Sequence, residues 1–358
     1  MNEAFTFDDV LIVPQFSTIS SRKEVDLSVI TARSCFQDIG CKLPIISANM
    51  DTITGPKMAK AMLAYGAQAC LHRFCSIEDN VKMFLESWYD TEGDNECFSR
   101  PMVSIGLGKE ELQRAEALYA NNANIFIVDV AHGAQMAVVN QVKALREIIR
   151  DNGAIVVGNF ASGFSVEDFF DNCGNTQIDG IKVGIGPGSA CTTRIKTGVG
   201  YPQLSAIIDI AETLEGYGIP IIADGGMKTP GDIAKALGAG ASMIMLGGML
   251  AGTTETPGEV FYLEGPGPQC PVKIYRGSAS RESYQVQGKT GTHRTTEGES
   301  FIVSCKGPVS DVLQDIEGGL RSSFAYVGAK NLEEFHNRVE FVRISNAGYV
   351  EGTPHGKK

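Results

Sequence analysis

Eight short apolar segments, each followed by a pattern typical of a helix, are the feature that most constrains the fold of this chain. The segments are 43–49, 68–72, 102–107, 124–131, 154–160, 180–185, 220–226 and 242–248. They are apolar throughout rather than alternating, as expected of parallel strands that are covered on both faces. Eight βα units in succession predict an α/β fold, a single (β/α)8 TIM barrel that forms one domain over residues 1–358. No G-x-G-x-x-G motif follows the first segment, which argues against two doubly wound halves.

The segments between the strands and beyond them complete this prediction. Helices are expected at about 55–66, 77–88, 109–121, 134–151, 164–173, 203–217 and 230–239. After the eighth strand the next convincing helix is 309–320, so residues 249–307, rich in Gly, Pro, Thr and Ser, are predicted to form a long mobile flap. Residues 1–42 carry short strand-like pieces that would pack around the barrel. The tail at about 350–358 is predicted to fray.

Charge and hydropathy exclude several classes of function. The formal net charge of -11 offers no basic face, so we expect neither nucleic acid nor a membrane surface as a partner. No run approaches the ~20 apolar residues that span a bilayer, and the first residues lack the features of a signal peptide. A cytoplasmic protein is therefore expected. Nine cysteines, an odd number without C-x-x-C spacing, argue against a disulfide framework and against a zinc site.

Glycine pairs end the seventh and eighth predicted strands, as Asp224-Gly225-Gly226 and Gly247-Gly248. Barrel active sites lie at the carboxyl ends of the strands, and the loops after strands seven and eight commonly hold phosphate. Either pair alone would more often mark a tight turn. Both together favour a phosphate site in which main-chain N–H groups approach an anion freely. Asp224 at the mouth could accept hydrogen bonds from ribose hydroxyls.

The sixth strand leads into a glycine-rich loop, residues 184–203, that carries Cys191. A given cysteine is more often an inert core residue. A cysteine among glycines at a barrel mouth, with two threonines and Arg194 beside it, is a candidate nucleophile, because nearby cationic and N–H groups favour the thiolate. Successive carbonyl groups of such a loop could also bind a monovalent cation.

Residues 184–203 resemble the catalytic loop shared by IMP dehydrogenases and GMP reductases. Similar motifs cover nearly the whole chain, at 5–27, 44–62, 223–241, 245–259, 275–280 and 305–329. On this resemblance the chain is identified as a member of the IMP dehydrogenase/GMP reductase family.

Two features resemble the reductase branch of the family more than the dehydrogenase branch. Dehydrogenases usually carry a regulatory insert after the second strand, and the segment between His72 and Met102 is too short for one. They also need an Arg-Tyr pair on the flap to activate water, and nowhere in this chain does Arg precede Tyr. The resemblance thus implies NADPH-dependent reductive deamination of GMP to IMP and ammonia. Two alternatives stay open: an IMP dehydrogenase without its regulatory domain, oxidising IMP to XMP with NAD+, and a nucleotide-binding relative without catalysis.

The resemblance also implies roles for individual residues. Cys191 would form a covalent thioimidate with C2 of the purine, while Thr193 and Glu297 would protonate the departing ammonia. The implied substrate-binding residues are Ser189, Asp224, Gly225, Gly226, Gly247, Gly248, Tyr275, Gly277, Ser278, Ala279, Arg294, Thr296 and Gly298. The implied cofactor-binding residues are Ser21, Arg22, Arg73, Asp129, Val130, Ala131, Ile185, Gly186, Ser322 and Ser323.

Further implications concern ions, subunits and departures from the family pattern. The carbonyl groups of Gly186, Gly188 and Cys191 resemble a potassium site. Tetramers are usual in the family, so a homotetramer is implied, with the cofactor site at the subunit interface. Arg73 stands where reductases commonly have Lys, and Ser278 stands where either branch usually has Met.

Overall fold

Eight parallel strands close into a barrel in the computed structural model, which describes residues 3–29, 41–88, 100–263, 270–286 and 295–354. Strand β1, Val10–Ile12, lies outside the barrel. The barrel strands are β2 (Ile45–Ser47), β3 (Gln68–Leu71), β4 (Met102–Ile105), β5 (Ile125–Asp129), β6 (Ala154–Phe160), β7 (Gly180–Val183), β8 (Ile221–Asp224) and β9 (Met243–Leu246). Each pairs in parallel with the next, and β9 closes the barrel on β2, where Ile46 lies opposite Met245. The eight predicted strands and the TIM barrel are confirmed.

Helices follow the barrel strands and form the outer layer. They are α1 (Pro56–Tyr65), α2 (Ile77–Trp88), α3 (Lys109–Ala120), α4 (Met136–Ile149), α5 (Gly163–Cys173), α6 (Thr193–Thr197), α7 (Gln203–Thr213) and α8 (Pro230–Gly238). Seven of these match the predicted helices. The short helix α6, inside the glycine-rich loop, was not predicted.

The barrel strands bury both faces, which explains why their sequences do not alternate. Along β5, Ile125 and Ile127 point into a cluster that fills the barrel, together with Val156 and Met245. The intervening Phe126 packs with the larger cluster between strands and helices. Side chains of a strand point alternately to its two faces, so a strand covered on both sides needs apolar residues at every position.

The segment after β9 is more regular than its sequence predicted. It contains the antiparallel sheet β10 (Phe261–Tyr262), β11 (Pro271–Arg276) and β12 (Ser300–Ser304), and the helix α9 (Arg281–Val286). The prediction of a flap over residues 249–307 did not include these elements. In β11 the usual relation between hydropathy and burial is inverted, since Lys273 is buried while Ile274 is exposed. Hydropathy therefore does not predict this strand. Mobility of the flap stays a prediction.

The two ends of the chain meet beside the barrel. The closing helix α10 is longer than predicted, Val309–Val327, and buries Leu313, Ile316 and Leu320. After it come α11 (Leu332–Arg338), β13 (Phe341–Arg343) and α12 (Asn346–Glu351), and β13 pairs antiparallel with β1. The tail predicted to fray begins within α12, and residues 355–358 lie outside the described part of the chain. Within the described ranges, no helix combines the length and the apolar character needed to cross a membrane.

Candidate active site

A cavity of about 1180 Å³ opens at the carboxyl ends of the barrel strands. A single small-molecule site usually occupies about 300–1,000 Å³, so this cavity has room for two ligands side by side. Most of the site residues implied by sequence lie on its wall: Arg73, Asp129, Val130, Ala131, Ile185, Gly186, Gly188, Ser189, Cys191, Thr193, Asp224, Gly225, Gly226, Gly247, Gly248, Tyr275, Gly277, Ser278, Ala279 and Glu297.

Cys191, Thr193 and Glu297 form a continuous hydrogen-bonded chain. The Cys191 thiol donates to Thr193 Oγ1 at 3.2 Å, and the Thr193 hydroxyl donates to Glu297 Oε2 at 2.7 Å. The three side chains are partly exposed on the cavity wall. A proton can therefore move between the sulfur and the carboxylate through one hydroxyl group.

Main-chain hydrogen bonds hold these three residues in place, although Thr193 and Glu297 are 104 positions apart in sequence. The Thr192 N–H donates to the Glu297 carbonyl at 2.9 Å, and the Glu299 N–H donates to the Ala190 carbonyl at 2.9 Å. Between these contacts Cys191 pairs with Gly298 in an antiparallel bridge. The glycine-rich loop and the flap thus build the site jointly.

Arg194 organises the loop that carries Cys191. Its guanidinium donates to the carbonyl of Ile185 at 3.1 Å and to that of Tyr201. Gly186 and Gly200, both with positive φ, lie so close that a Cβ on either would fall 2.5 or 2.6 Å from Arg194 Cγ. Burial lowers the pKa of Arg194, and the neighbouring Cys191 opposes that shift. The loop therefore wraps around a cation that stands near the sulfur.

Three glycine-containing loops converge on one part of the cavity. A Cβ at Gly225, where φ is +86°, would lie 3.1 Å from the Gly188 nitrogen, and one at Gly248 would lie 2.9 Å from Ser189 Oγ. Such close approach brings several main-chain N–H groups to one place, the arrangement that binds phosphate. Beside them the Ser189 hydroxyl donates to Tyr275 at 3.4 Å. Burial raises the pKa of Tyr275, so its hydroxyl stays protonated.

A buried lysine that the sequence analysis did not select joins two of the predicted acids. Lys182 Nζ lies 2.9 Å from Asp129 Oδ1 and 2.5 Å from Asp224 Oδ2, and it donates to Asn159 Oδ1 at 2.5 Å. Burial alone would lower the pKa of Lys182, but the two carboxylates outweigh it and raise the pKa, so the ammonium stays charged. The Asp129 pKa is lowered although burial opposes the change, because Lys182 is close. The sequence feature that could have identified Lys182 is its position as a single charged residue inside an apolar strand.

Arg73 reaches the cavity from the loop after β3. Its guanidinium lies against Gly106, where a Cβ would fall 2.8 Å from Arg73 Cζ, and its Nε is 4.0 Å from Glu111 Oε2. The preceding His72 is buried, and its Nδ1 accepts a hydrogen bond from the Phe74 N–H at 3.2 Å. Burial lowers the pKa of His72 to about 4, with Asp51 opposing the shift. His72 is therefore neutral at pH 7.

Some of the expected site residues lie elsewhere. Ser21 and Arg22 line a separate pocket of about 360 Å³ together with Ala325 and Tyr326. Ser322 and Ser323 donate their hydroxyls within α10, to the carbonyls of Gly318 and Gly319. Thr296 and Gly298 flank Glu297 on the flap, and Arg294 lies outside the described residues.

Comparison with known proteins shows which family the chain resembles. The family model of the IMP dehydrogenase / GMP reductase domain matches residues 4–355. The GMP reductase of Vibrio vulnificus (strain YJ016) is 38% identical over 345 residues, 94% of each chain. GMP reductase 1 of Mus musculus is 39% identical over 343 residues, covering 95% of this chain and 94% of that protein. A crystal structure of a variant GMP reductase from Trypanosoma brucei, in complex with guanosine 5'-monophosphate, superposes with a TM-score of 0.89 at 29% identity, covering 100% of this chain and 99% of that one. The chain therefore belongs to the IMP dehydrogenase/GMP reductase family of oxidoreductases.

Proposed function

We propose that this chain is a GMP reductase that converts GMP to IMP and ammonia with NADPH. The observation that carries the proposal is the hydrogen-bonded chain from Cys191 through Thr193 to Glu297, on the wall of a cavity with room for a nucleotide and a dinucleotide. The names of the similar proteins support the same reaction.

The first chemical step is the replacement of ammonia by sulfur at C2 of the purine. The Cys191 thiol gives its proton to the relay formed by Thr193 and Glu297, and the sulfur adds to C2. The relay then returns a proton to the 2-amino nitrogen, the C2–N bond breaks and ammonia leaves. The product of this step is a thioimidate in which Cys191 is bonded to C2.

The second step replaces sulfur by hydrogen at the same carbon. The bound dinucleotide supplies the hydride to C2. The C–S bond then breaks, Cys191 leaves as the thiolate, and a proton taken up from solvent through the relay converts it back to the thiol. The sum is GMP + NADPH + 2 H+ → IMP + NH4+ + NADP+. A chain without the Arg-Tyr pair has no such group to activate water, so the thioimidate should wait for hydride rather than be hydrolysed.

The cavity wall divides between the two ligands. Gly225, Gly226, Gly248 and Ser189 would hold the nucleotide phosphate, and Asp224 would accept hydrogen bonds from the ribose hydroxyls. Tyr275 and the segment 277–279 would surround the base. Asp129, Val130 and Ala131 at the end of β5, with Ile185 and Gly186 across the cavity, would contact the nicotinamide half of NADPH.

The remaining parts of the proposal concern subunits, location and an ion. We infer that the pocket beside Arg22 receives the adenosine end of NADPH from a neighbouring subunit in a homotetramer, since it is separate from the main cavity. A cytoplasmic location stays a prediction. A potassium ion would be held by the carbonyls of Gly186, Gly188 and Cys191. The Gly188 carbonyl already accepts from the Cys191 N–H at 3.0 Å, which leaves it one lone pair for an ion.

One spectrophotometric assay tests the proposed reaction. Absorbance of reduced dinucleotide should fall with GMP and NADPH, and NADH in a parallel cuvette decides the cofactor preference. If this absorbance increases with IMP and NAD+ and does not fall with GMP and NADPH, the chain is instead a dehydrogenase. Cys191→Ala should abolish turnover while GMP still binds in calorimetry. Persistent turnover in that variant would remove the covalent mechanism.

A further inference from the structure

The ammonium group of Lys182 lies behind the cavity wall, within hydrogen-bond distance of three acceptors that line the cavity. Its acceptors are Asp129, Asp224 and Asn159, which come from β5, β8 and β6. The side chain is 1% exposed, whereas the two carboxylates are 20% and 24% exposed and face the cavity. The lysine therefore cannot touch a ligand freely, but both of its acidic partners can.

Each acid also accepts a hydrogen bond from a side-chain amide. Asn49 Nδ2 donates to Asp129 Oδ2 at 2.9 Å, and Asn159 Nδ2 donates to Asp224 Oδ2 at 3.2 Å. The lysine stem runs against Gly158, where a Cβ would fall 2.6 Å from Lys182 Cβ. Two carboxylates share one cation here, so the group keeps a local charge of -1. Each acid depends on the same ammonium for its position and for the neutralisation of its charge.

We propose that Lys182 is a positioning residue that couples the nucleotide site to the dinucleotide site, because it pairs at once with the acid of each. This inference rests on the proposed function for the identity of the two ligands. When ribose hydroxyls bind Asp224 and displace water from it, the carboxylate is fixed, Lys182 is fixed with it, and Asp129 is held ready for the second ligand. By linkage, occupation of the dinucleotide site must strengthen nucleotide binding by the same factor.

Calorimetry with GMP and NADP+ tests the coupling without turnover, because this pair has no hydride to transfer. The dissociation constant of NADP+ is measured alone and with saturating GMP. In the wild-type protein, GMP should tighten NADP+ binding by about 5- to 150-fold, the usual range of coupling between sites. In Lys182→Met the ratio of the NADP+ dissociation constant without GMP to that with GMP should fall close to one. Lys182→Arg, which keeps the charge, should restore part of this ratio.

A matched control separates coupling from a loss of stability. Lys273 is also a buried lysine, but its ammonium donates to Thr256 and to carbonyls of the same loop rather than to an acid. Lys273→Met should lower the melting temperature while the ratio of dissociation constants stays at the wild-type value. If Lys182→Met does not fold, the test is the ratio of dissociation constants measured in Lys182→Gln and in the wild-type protein.

The possible failures are distinguishable. A wild-type ratio of one with both ligands bound, or a full ratio retained in Lys182→Met or Lys182→Gln, would overturn the coupling and leave the proposed function intact. A wild-type protein that binds neither GMP nor NADP+ would overturn the proposed function and this inference with it.

Discussion

The hydroxyl of Thr193 stands between a sulfur and a carboxylate, accepting from Cys191 and donating to Glu297. Within this hydrogen-bonded relay the Thr193 hydroxyl contacts both Cys191 and Glu297, so its removal separates the nucleophile from the acid. The step that depends most on this link is the departure of ammonia, because hydride transfer requires no proton at the leaving nitrogen.

Thr193→Ala should therefore slow deamination much more than hydride transfer. The expected loss in kcat for GMP is about 10²- to 10⁴-fold, the usual contribution of a positioned proton donor. Single-turnover formation of NADPH from IMP and NADP+, which involves no ammonia, should change far less. The control is Thr192→Ala, since the Thr192 hydroxyl has no hydrogen-bond partner in the part of the chain that the structure describes. Equal losses in both assays would contradict the relay.

His72 should make stability depend on pH. Its pKa is lowered by burial to about 4 in the folded protein and is about 6.5 in an unfolded chain, so only unfolding allows protonation between these values. The contribution of neutral His72 to the free energy of unfolding is complete above pH 6.5. It is lost as the pH falls from 6.5 through 4. At pH 5 the loss amounts to about 2 kcal/mol.

Urea unfolding at pH 7.5 and pH 5 would measure this effect. His72→Asn, which keeps an acceptor for the Phe74 N–H, should lose less stability between the two pH values than the wild-type protein does. An identical loss in both proteins would show that another group titrates.

At the level of elements, an ion pair joins the flap sheet to the loop after β2. Arg276 at the end of β11 donates to both carboxylate oxygens of Asp51, in the loop after β2, and its main-chain N–H donates to the Thr52 hydroxyl at 3.3 Å. Because Asp51 is almost fully buried, it depends on this partner.

Arg276→Ala should destabilise the protein by about 2–3 kcal/mol, because it leaves a buried carboxylate without its cation. The double variant with Asp51→Asn should recover part of that loss, since a neutral amide needs no cation. Denaturant unfolding of the wild-type protein, both single variants and the double variant would give the coupling energy. Strict additivity of the two changes would mean that the pair contributes nothing.

The sequence predicted the elements whose patterns are strong and missed those whose patterns are weak or inverted. Largely apolar runs such as 154–160 predicted every barrel strand, and the glycine pairs and Cys191 located the mouth. The strand β11 escaped because its buried residue is Lys273 and its exposed one is Ile274. Lys182 was overlooked because one charge within an apolar run does not indicate its partners, which the barrel brings from strands 23 or more residues away.

At the scale of the whole molecule, most of the residues implied for the dinucleotide fall into two pockets of one chain, while Ser322 and Ser323 line neither. The first includes Asp129 and the second includes Arg22. In the proposed homotetramer, the first pocket of one chain would lie beside the second pocket of the next. Such an assembly would complete each site with residues of two chains.

Arg22→Ala should raise the KM for NADPH by about tenfold, the loss of one charge-assisted contact to a phosphate, while the KM for GMP stays unchanged. Lys23→Ala is the matched control, since Lys23 is an adjacent exposed cation that is absent from the lining of the pocket. Light scattering should give the same tetramer for both variants. A monomeric wild-type enzyme with full activity would contradict the shared site.

The wrapping of the catalytic loop around Arg194 restricts how this protein can change over generations. A side chain at Gly186 or Gly200 would collide with the stem of Arg194, and a smaller residue at 194 would leave the carbonyls of Ile185 and Tyr201 without their donor. Each single replacement is therefore expected to be harmful, and because both glycines have positive φ, a smaller residue at 194 would not by itself make a side chain at either position acceptable. The residues at 186, 194 and 200 therefore constrain one another, and substitution at any one of them is opposed by the other two.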